Sequence, residues 1–162
     1  MHSAVIFREV KKEDNELLAR MIRQVFKEHD APQSGTVFSD PTTDDLFGLF
    51  RKSRSVLWVA ELNGLPLGCC GIYPTEGLES SCAELVKYYL AEPARGKGVG
   101  RQLMEKCIVS AREKSYKELY LESMPHFSKA VRIYEKLGFN KLSGPLGNSG
   151  HTTCNIWMLL EL

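Results

Sequence analysis

Apolar positions recur along the chain with two different periods, and each change of period marks a predicted helix or strand. After Asp14, apolar residues over 17–26 are spaced three and four apart, which is typical of an amphipathic helix that ends near His29. A second helix is predicted over 98–114, with one apolar face. A further helix is predicted over 128–137.

Strands are predicted where short apolar runs lie between turn residues. Two of these runs flank Asn63-Gly64, a dipeptide typical of a two-residue β-hairpin turn. The predicted strands cover 4–10, 56–62, 65–73, 82–90 and 118–122, and segments 139–142 and 152–161 are predicted to form a closing hairpin.

Residues 30–43 (DAPQSGTVFSDPTT) interrupt this series with two prolines, a glycine and short polar side chains, which favour turns. We interpret the segment as a mobile loop that could lie over a substrate site, followed by a short helix over 41–52.

Length and charge narrow the class of protein. The 162 residues, 43% of them apolar, suit one compact domain spanning 1–162. A net charge of +1, from 21 basic and 20 acidic residues, gives no reason to expect a nucleic-acid or membrane partner. Five cysteines without a C-x-x-C spacing, and no secretory signal, predict a soluble protein in the reducing cytoplasm.

The sequence RGKGVGR at 95–101 lies between a predicted strand and a predicted helix. Its three glycines let the backbone approach a ligand closely, and a helix that begins there presents unpaired N–H groups to an anion. Two arginines and a lysine add positive charge, so a phosphate or pyrophosphate is the expected ligand. Taken alone, the turn is also compatible with a tight connection whose charged side chains lie in solvent.

Two common phosphate motifs do not fit this turn. A Walker A loop requires Ser or Thr after its Gly-Lys pair, but Gly98 follows Lys97. A dinucleotide fingerprint requires glycine three places after Gly98, where Arg101 stands.

The segment AELVKYYLAEPARGKGVGRQLM resembles the cofactor-binding motif of the GNAT superfamily of acetyl-CoA-dependent N-acetyltransferases. The core of that motif is Arg/Gln-x-x-Gly-x-Gly/Ala, and Arg95, Gly98 and Gly100 fill it. The resemblance extends over nearly the whole chain and is most specific over 84–104 and 130–139.

A second GNAT signature places a Tyr or Phe four residues before a Gly-Phe pair. The segment KAVRIYEKLGF resembles it, with Tyr134, Gly138 and Phe139 at the matching positions. Two signatures at the expected separation make chance agreement improbable.

The resemblance implies an α/β (α+β) fold: a mixed, mostly antiparallel sheet of about six to seven strands, flanked by about four helices. Two splayed central strands would form the cleft for acetyl-CoA, the implied co-substrate. Main-chain groups of one strand would bond its pantetheine arm, and amides of the turn would cradle its pyrophosphate. The implied cofactor-binding residues are Tyr88, Tyr89, Leu90, Arg95, Gly96, Lys97, Gly98, Val99, Gly100 and Arg101.

Two glutamates compete for the role of general base, because an amine must lose its proton before it attacks a thioester. Some family members carry the catalytic glutamate where Glu84 stands, and others where Glu122 stands. Strand alternation predicts that Glu84 shares a face with Val86, Tyr88 and Leu90. It also predicts that Glu122 shares a face with Tyr120. Either carboxylate could instead be an edge residue paired with a lysine. The sequence leaves the choice of base open, and Glu84 is slightly favoured over Glu122.

The family resemblance also implies a general acid for the departing thiolate, and Tyr134 occupies its position. The alternative is an aromatic residue of a helix packed on the sheet. One departure concerns Phe127, because many members have an asparagine there that bonds the cofactor arm; His126 or Ser128 would have to replace that contact.

The acceptor is not identified by the sequence. It could be a small amine, an amino acid, a polyamine, or a protein N-terminus or lysine, and a silent acyl-CoA-binding sensor is the alternative function. Segments 30–43 and 124–127 are expected to face the substrate, with Asp30 and Asp40 suited to a cationic, partly apolar amine. We expect no bound metal, and a monomer or homodimer.

Overall fold

The computed structural model describes residues 4–150 and 153–162, which form a seven-stranded sheet with helices on both faces. The strand order is β1-β2-β3-β4-β5-β7-β6, and every neighbouring pair is antiparallel except β4 and β5. The strands are β1 (Ile6–Glu9), β2 (Val56–Leu62), β3 (Leu65–Tyr73), β4 (Cys82–Leu90), β5 (Glu118–Ser123), β6 (Asn140–Lys141) and β7 (Ile156–Glu161). The α-helices are α1 (Asn15–Glu28), α2 (Leu46–Leu49), α3 (Val99–Glu113) and α4 (Ser128–Lys136). This is the predicted mixed, mostly antiparallel architecture.

Helix α3 packs on one face of the sheet through the apolar face that its sequence predicted. Leu103, Cys107 and Ala111 are fully buried there, together with Leu119 of β5. Burying a leucine side chain such as Leu103 or Leu119 stabilises the fold by about 1.5–3 kcal/mol, and the smaller side chains add less. The face therefore fixes α3 and the turn before it against the sheet.

Helix α1 packs on the opposite face. Leu18, Ile22 and Phe26 are buried in one cluster with Leu57 of β2 and Cys69 of β3. The sheet is thus covered on both faces, by α1 on one face and by α3 on the other.

The predicted hairpin between β2 and β3 is confirmed. Asn63 and Gly64 both have positive φ angles, 52° and 81°, as a type I′ turn requires. The closing hairpin of β6 and β7 is also present, with shorter strands than predicted; residue 152, within the predicted strand, lies outside the described residues.

The segment predicted as a loop and a short helix is more ordered than its composition suggested. Residues Pro41–Asp44 form a 3-10 helix whose first turn is capped by the Asp40 side chain, and α2 follows after one residue. Thr36 and Thr43 are buried, each with its hydroxyl bonded to a backbone carbonyl. Hydroxyl-to-backbone bonds of this kind organise polar segments that have no helical or strand period.

Strands β4 and β5 pair over three residue positions and then separate. The parallel register runs from Cys82, opposite Glu118, to Glu84, opposite Tyr120. Beyond that point β4 stays paired with β3, and β5 stays paired with β7. The two strands therefore open a cleft, as the resemblance implied. No helix among the described residues is long and apolar enough to cross a membrane.

Candidate active site

A cavity of about 420 Å³ lies where β4 and β5 separate. Residues 84–90 of β4 and 122–124 at the end of β5 form two of its walls. Helices α1 and α4 close it on either side. Its size is in the usual range for small-molecule sites.

Glu84 lies in this wall, at the last position where β4 pairs with β5. Only 4% of its surface is exposed. Burial raises its pKa to about 7, and the nearby Glu122 carboxylate adds to the rise. A hydrogen bond donated by the Thr75 hydroxyl (2.6 Å) and the charge of Lys87 act in the opposite direction. The carboxyl group is therefore poised to exchange a proton near neutral pH.

Glu122 lines the same cavity from β5. The Tyr120 hydroxyl donates to its Oε2 at 2.7 Å, and the Ser149 hydroxyl donates to its Oε1. The predicted shared face of Tyr120 and Glu122 is thus confirmed. Two hydroxyl donors hold the Glu122 side chain in place.

The predicted face of Glu84 is wrong beyond Lys87, because a β-bulge interrupts β4 there. Lys87 has φ 56°, and the register with β3 shifts between Cys69 and Gly71. One extra residue reverses the alternation of side chains. Tyr88 and Leu90 consequently pack with the α3 core, whereas Val86 and Tyr89 pack on the α1 side.

The bulge also brings into the site a residue that sequence reasoning missed. Lys87 lines the cavity with 6% of its surface exposed, and burial lowers its pKa. Its ammonium group forms no ion pair within 4 Å among the described residues. The available signal was a charged residue inside the apolar strand sequence CAELVKYYL.

Tyr134 lies on α4 and lines the cavity. Its ring packs edge-on against Tyr88, with centroids 6.0 Å apart, and tilted against Phe139 at 5.8 Å. Burial raises its pKa well above the ordinary value, so the phenol stays protonated. None of the described residues hydrogen-bonds its hydroxyl.

The glycine-rich turn lies at the edge of the cavity, which Arg95 and Gly96 line directly. Gly96 and Gly98 have φ angles of 72° and 76°, a region that favours glycine. The first bond within α3 runs from the Gln102 N–H to the Gly98 carbonyl, 3.1 Å. The amides of Val99, Gly100 and Arg101 therefore have no acceptor within the helix and are oriented for an anion.

Two of the three basic side chains of the turn already have protein partners. The Arg95 guanidinium donates to the Leu90 carbonyl at 3.0 and 3.1 Å and pairs with Glu28 at 2.8 Å. Arg101 pairs with Glu105 at 3.0 Å on the surface of α3. Arg95 thereby ties the turn to the ends of β4 and α1.

Gly100 packs closely against the wall of the cleft. A Cβ at this position would collide with the Tyr88 hydroxyl and would lie 3.0 Å from Cδ1 of Leu90. The glycine therefore permits the Tyr88 side chain to lie against the start of α3. The sequence assigned this glycine to ligand approach alone.

Phe127 belongs to an aromatic cluster in the wall nearest α1. Its ring lies 5.4 Å from those of Phe26 and His29 and 6.4 Å from that of Tyr89. His126 and Ser128 also line the cavity. An apolar aromatic surface thus stands where the family resemblance implied an asparagine.

The two segments expected to face a substrate each contribute to the cavity wall. Thr36 and Val37 of segment 30–43 line the cavity, as do Met124, His126 and Phe127 of segment 124–127. Within the described chain, Asp30 and Asp40 are not part of the cavity wall, and Asp40 caps the following 3-10 helix. No group of three or more His, Cys, Asp or Glu among residues 4–150 and 153–162 could hold a metal ion.

Comparison with known proteins agrees with this geometry. The sequence profile of the Acetyltransferase (GNAT) family matches residues 22–139. The uncharacterized N-acetyltransferase YjgM of Escherichia coli is 36% identical over 158 residues, covering 97% of this chain and 95% of YjgM.

Solved structures show the same fold at lower identity. A GNAT-family acetyltransferase from Staphylococcus aureus superposes with a TM-score of 0.86 at 22% identity, covering 98% of this chain and 99% of that one. The PaiA N-acetyltransferase from Thermoplasma acidophilum, solved in complex with coenzyme A, has a TM-score of 0.75 at 17% identity, with coverage of 98% and 99%. Together with the matched profile and the cleft between β4 and β5, these relationships show that the chain belongs to the GNAT family of acetyltransferases.

Proposed function

We propose that this protein transfers the acetyl group of acetyl-CoA to a primary amine by direct attack in a ternary complex, with Glu84 as general base and Tyr134 as general acid. The observation that carries the proposal is the buried Glu84 carboxyl in the cleft wall, with a pKa of about 7. A base with this pKa is half ionised near neutral pH, where it can both accept and release a proton.

Acetyl-CoA supplies the thioester carbonyl, and the chain offers suitable contacts for the rest of the molecule. The amides at the start of α3 are free to bond a pyrophosphate, as described above. Within the described part of the chain, no strand pairs with β4 beyond Glu84 on the β5 side. Main-chain groups of this edge can therefore bond the pantetheine arm, apart from the Leu90 carbonyl, which Arg95 already bonds. These contacts use the backbone, which explains why Arg95 and Arg101 can be paired elsewhere.

Glu84 is better suited than Glu122 to take the amine proton. Glu122 accepts bonds from two hydroxyl groups, which leaves it less free to accept a third proton donor. Among the described residues, Glu84 accepts a side-chain hydrogen bond from Thr75 at Oε1, and we assign its other oxygen to the substrate amine. We propose that the Glu122 carboxylate attracts the acceptor ammonium and keeps it near Glu84.

The proton balance then closes on these two residues. The acceptor ammonium gives one proton to Glu84, and the freed nitrogen lone pair forms the bond to the carbonyl carbon. As the carbon–sulfur bond breaks, Tyr134 donates its proton to the departing thiolate. The nitrogen, which still carries two protons after the attack, loses one of them through water to the Tyr134 phenolate, and Glu84 releases the first proton to solvent. The products are the amide, coenzyme A and one proton, and both residues return to their starting states.

Coenzyme A release, followed with a thiol reagent over a panel of primary amines, tests the proposal. Glu84→Gln keeps the size of the side chain and removes the base, so kcat/KM should fall about 10²- to 10⁴-fold. The wild-type profile should rise with pH up to about 7 and then level off, and this limb should disappear in the variant. Glu79→Gln, at an exposed position outside the cavity, is the matched control. It should leave kcat/KM and the rising limb of the pH profile unchanged.

Two results would contradict this assignment. Binding of acetyl-CoA without release for any amine would favour the acyl-CoA sensor. Full activity of Glu84→Gln together with loss in Glu122→Gln would transfer the role of base to Glu122.

A further inference from the structure

Lys87 is a buried cation that the proposed reaction does not use. It lies at the β-bulge of β4 in a left-handed conformation, with φ 56°. Such a conformation is strained for a residue with a side chain, and bulges often redirect a side chain beside an active site. Here the bulge places Lys87 in the cavity wall, 94% buried.

The charge of Lys87 lacks a close partner among the described residues. Glu84 and Asp40 are the carboxylates that influence it most, but neither forms an ion pair with it within 4 Å. An ammonium group that is removed from water without a close partner destabilises the folded state. An anion that enters the cavity with the substrate would offset this cost.

The arrangement of charges in the cavity suits a molecule that carries both signs. Glu84 and Glu122 attract the ammonium of an acceptor, and Lys87 offers a cation three residues from Glu84 on the same strand. Three strand residues span about 10 Å between backbone positions, so one small molecule can reach both side chains. The aromatic rings of Phe26 and Phe127 provide an apolar wall beside them.

We propose that Lys87 binds a carboxylate of the acceptor, so that the preferred substrate is a small amino acid-like amine with an apolar side chain. This inference rests on the proposed acetyl transfer and names the acceptor class for the same site. A lysine is suited to the task because it contributes a point charge and three donors.

Phenylalanine and phenethylamine form a matched pair of substrates, since they share ring and amine and differ in the carboxylate. In Lys87→Met, kcat/KM should fall about 10- to 100-fold for phenylalanine and less than about threefold for phenethylamine. Lys87→Arg keeps the charge and should retain most of the preference for phenylalanine. Lys141→Met, at an exposed lysine on β6, is the control for loss of one positive charge.

An unchanged ratio of the two kcat/KM values in Lys87→Met would overturn the inference. If both values fell by the same factor, Lys87 would be a counter-charge for Glu84. Lys87 forms no ion pair within 4 Å among the described residues, so Lys87→Met breaks no such pair. The variant is therefore expected to fold, which its melting temperature checks.

An equilibrium measurement separates this inference from the proposed function. N-acetylphenylalanine is titrated calorimetrically into protein saturated with coenzyme A, which requires no turnover. Binding about 10- to 100-fold weaker in Lys87→Met than in wild type supports the carboxylate site, even in a protein that releases no coenzyme A. Equal binding by the two proteins, or none by wild type, overturns it.

Discussion

The Thr75 hydroxyl donates a 2.6 Å hydrogen bond to Oε1 of Glu84, across the end of the β3–β4 hairpin. This bond favours the ionised carboxylate, whereas burial favours the neutral acid. The balance leaves the pKa of Glu84 at about 7. A loop residue outside the family signatures thus sets the pH range in which the proposed base works.

Thr75→Val should move the activity of the enzyme to higher pH. Loss of a hydrogen bond to a charged group is worth about 1.5–3 kcal/mol, which corresponds to a rise of roughly one to two pH units in the pKa of Glu84. The acidic limb of kcat/KM against pH should shift by that amount, while the plateau is still reached at higher pH. Thr75→Ser keeps the hydroxyl and should reproduce the wild-type profile; superimposable profiles for all three proteins would contradict the tuning role.

Glu84→Gln should stabilise the protein at alkaline pH. The folded-state pKa of about 7 lies above the ordinary 4.5, so the folded state holds this proton more tightly than the unfolded state. Stability from this group is full below pH 4.5 and is lost as pH rises through 7, by at most about 3 kcal/mol. The glutamine is neutral throughout, so the free energy of unfolding should exceed wild type by about 1–3 kcal/mol at pH 8.

Urea denaturation at pH 5 and pH 8 measures this effect. The gain should be much smaller at pH 5, where the wild-type carboxyl is largely protonated in the folded state. Glu79→Gln serves again as the exposed control and should change stability little at either pH. A pH-independent difference between Glu84→Gln and wild type would show that the pKa of Glu84 is not raised.

The sequence predicted the architecture well because most elements carry a strong period or a specific turn. The Asn63-Gly64 turn and the apolar face of α3 each depend on local residues, and both are confirmed. The bulge at Lys87 depends instead on how β4 pairs with β3. This pairing cannot be predicted from the residues next to Lys87 in the sequence. For the same reason, the position of Lys87 in the cavity wall could not be predicted from the sequence. Nor could the hydrogen bonds that Thr75 donates to Glu84 and Ser149 donates to Glu122.

Tyr134→Phe should reduce turnover while leaving binding and folding largely intact. The phenylalanine keeps the ring contacts with Tyr88 and Phe139, and the hydroxyl that it loses has no partner among the described residues. Loss of a general acid costs about 10²- to 10⁴-fold in rate. We expect kcat to fall in this range, with the Kd for acetyl-CoA within about threefold of wild type; unchanged kcat would leave Tyr134 a packing residue.

Gly100→Ala should destabilise the fold through one identified contact. The added methyl group collides with the Tyr88 hydroxyl at the start of α3, and overpacking of this kind costs about 1–3 kcal/mol. Tyr88→Phe removes the colliding oxygen, so the double variant should recover part of the loss. Urea denaturation of the two single variants and the double variant, treated as a double-mutant cycle, isolates this coupling.

Gly98→Ala provides the comparison for a different physical cause. Gly98 has a φ of 76° and little packed around it, so its substitution is strained by about 1 kcal/mol through the backbone. Tyr88→Phe should therefore rescue Gly100→Ala and leave Gly98→Ala unchanged. Equal rescue of both variants, or rescue of neither, would mean that the close approach of Gly100 to Tyr88 does not explain the requirement for glycine at that position.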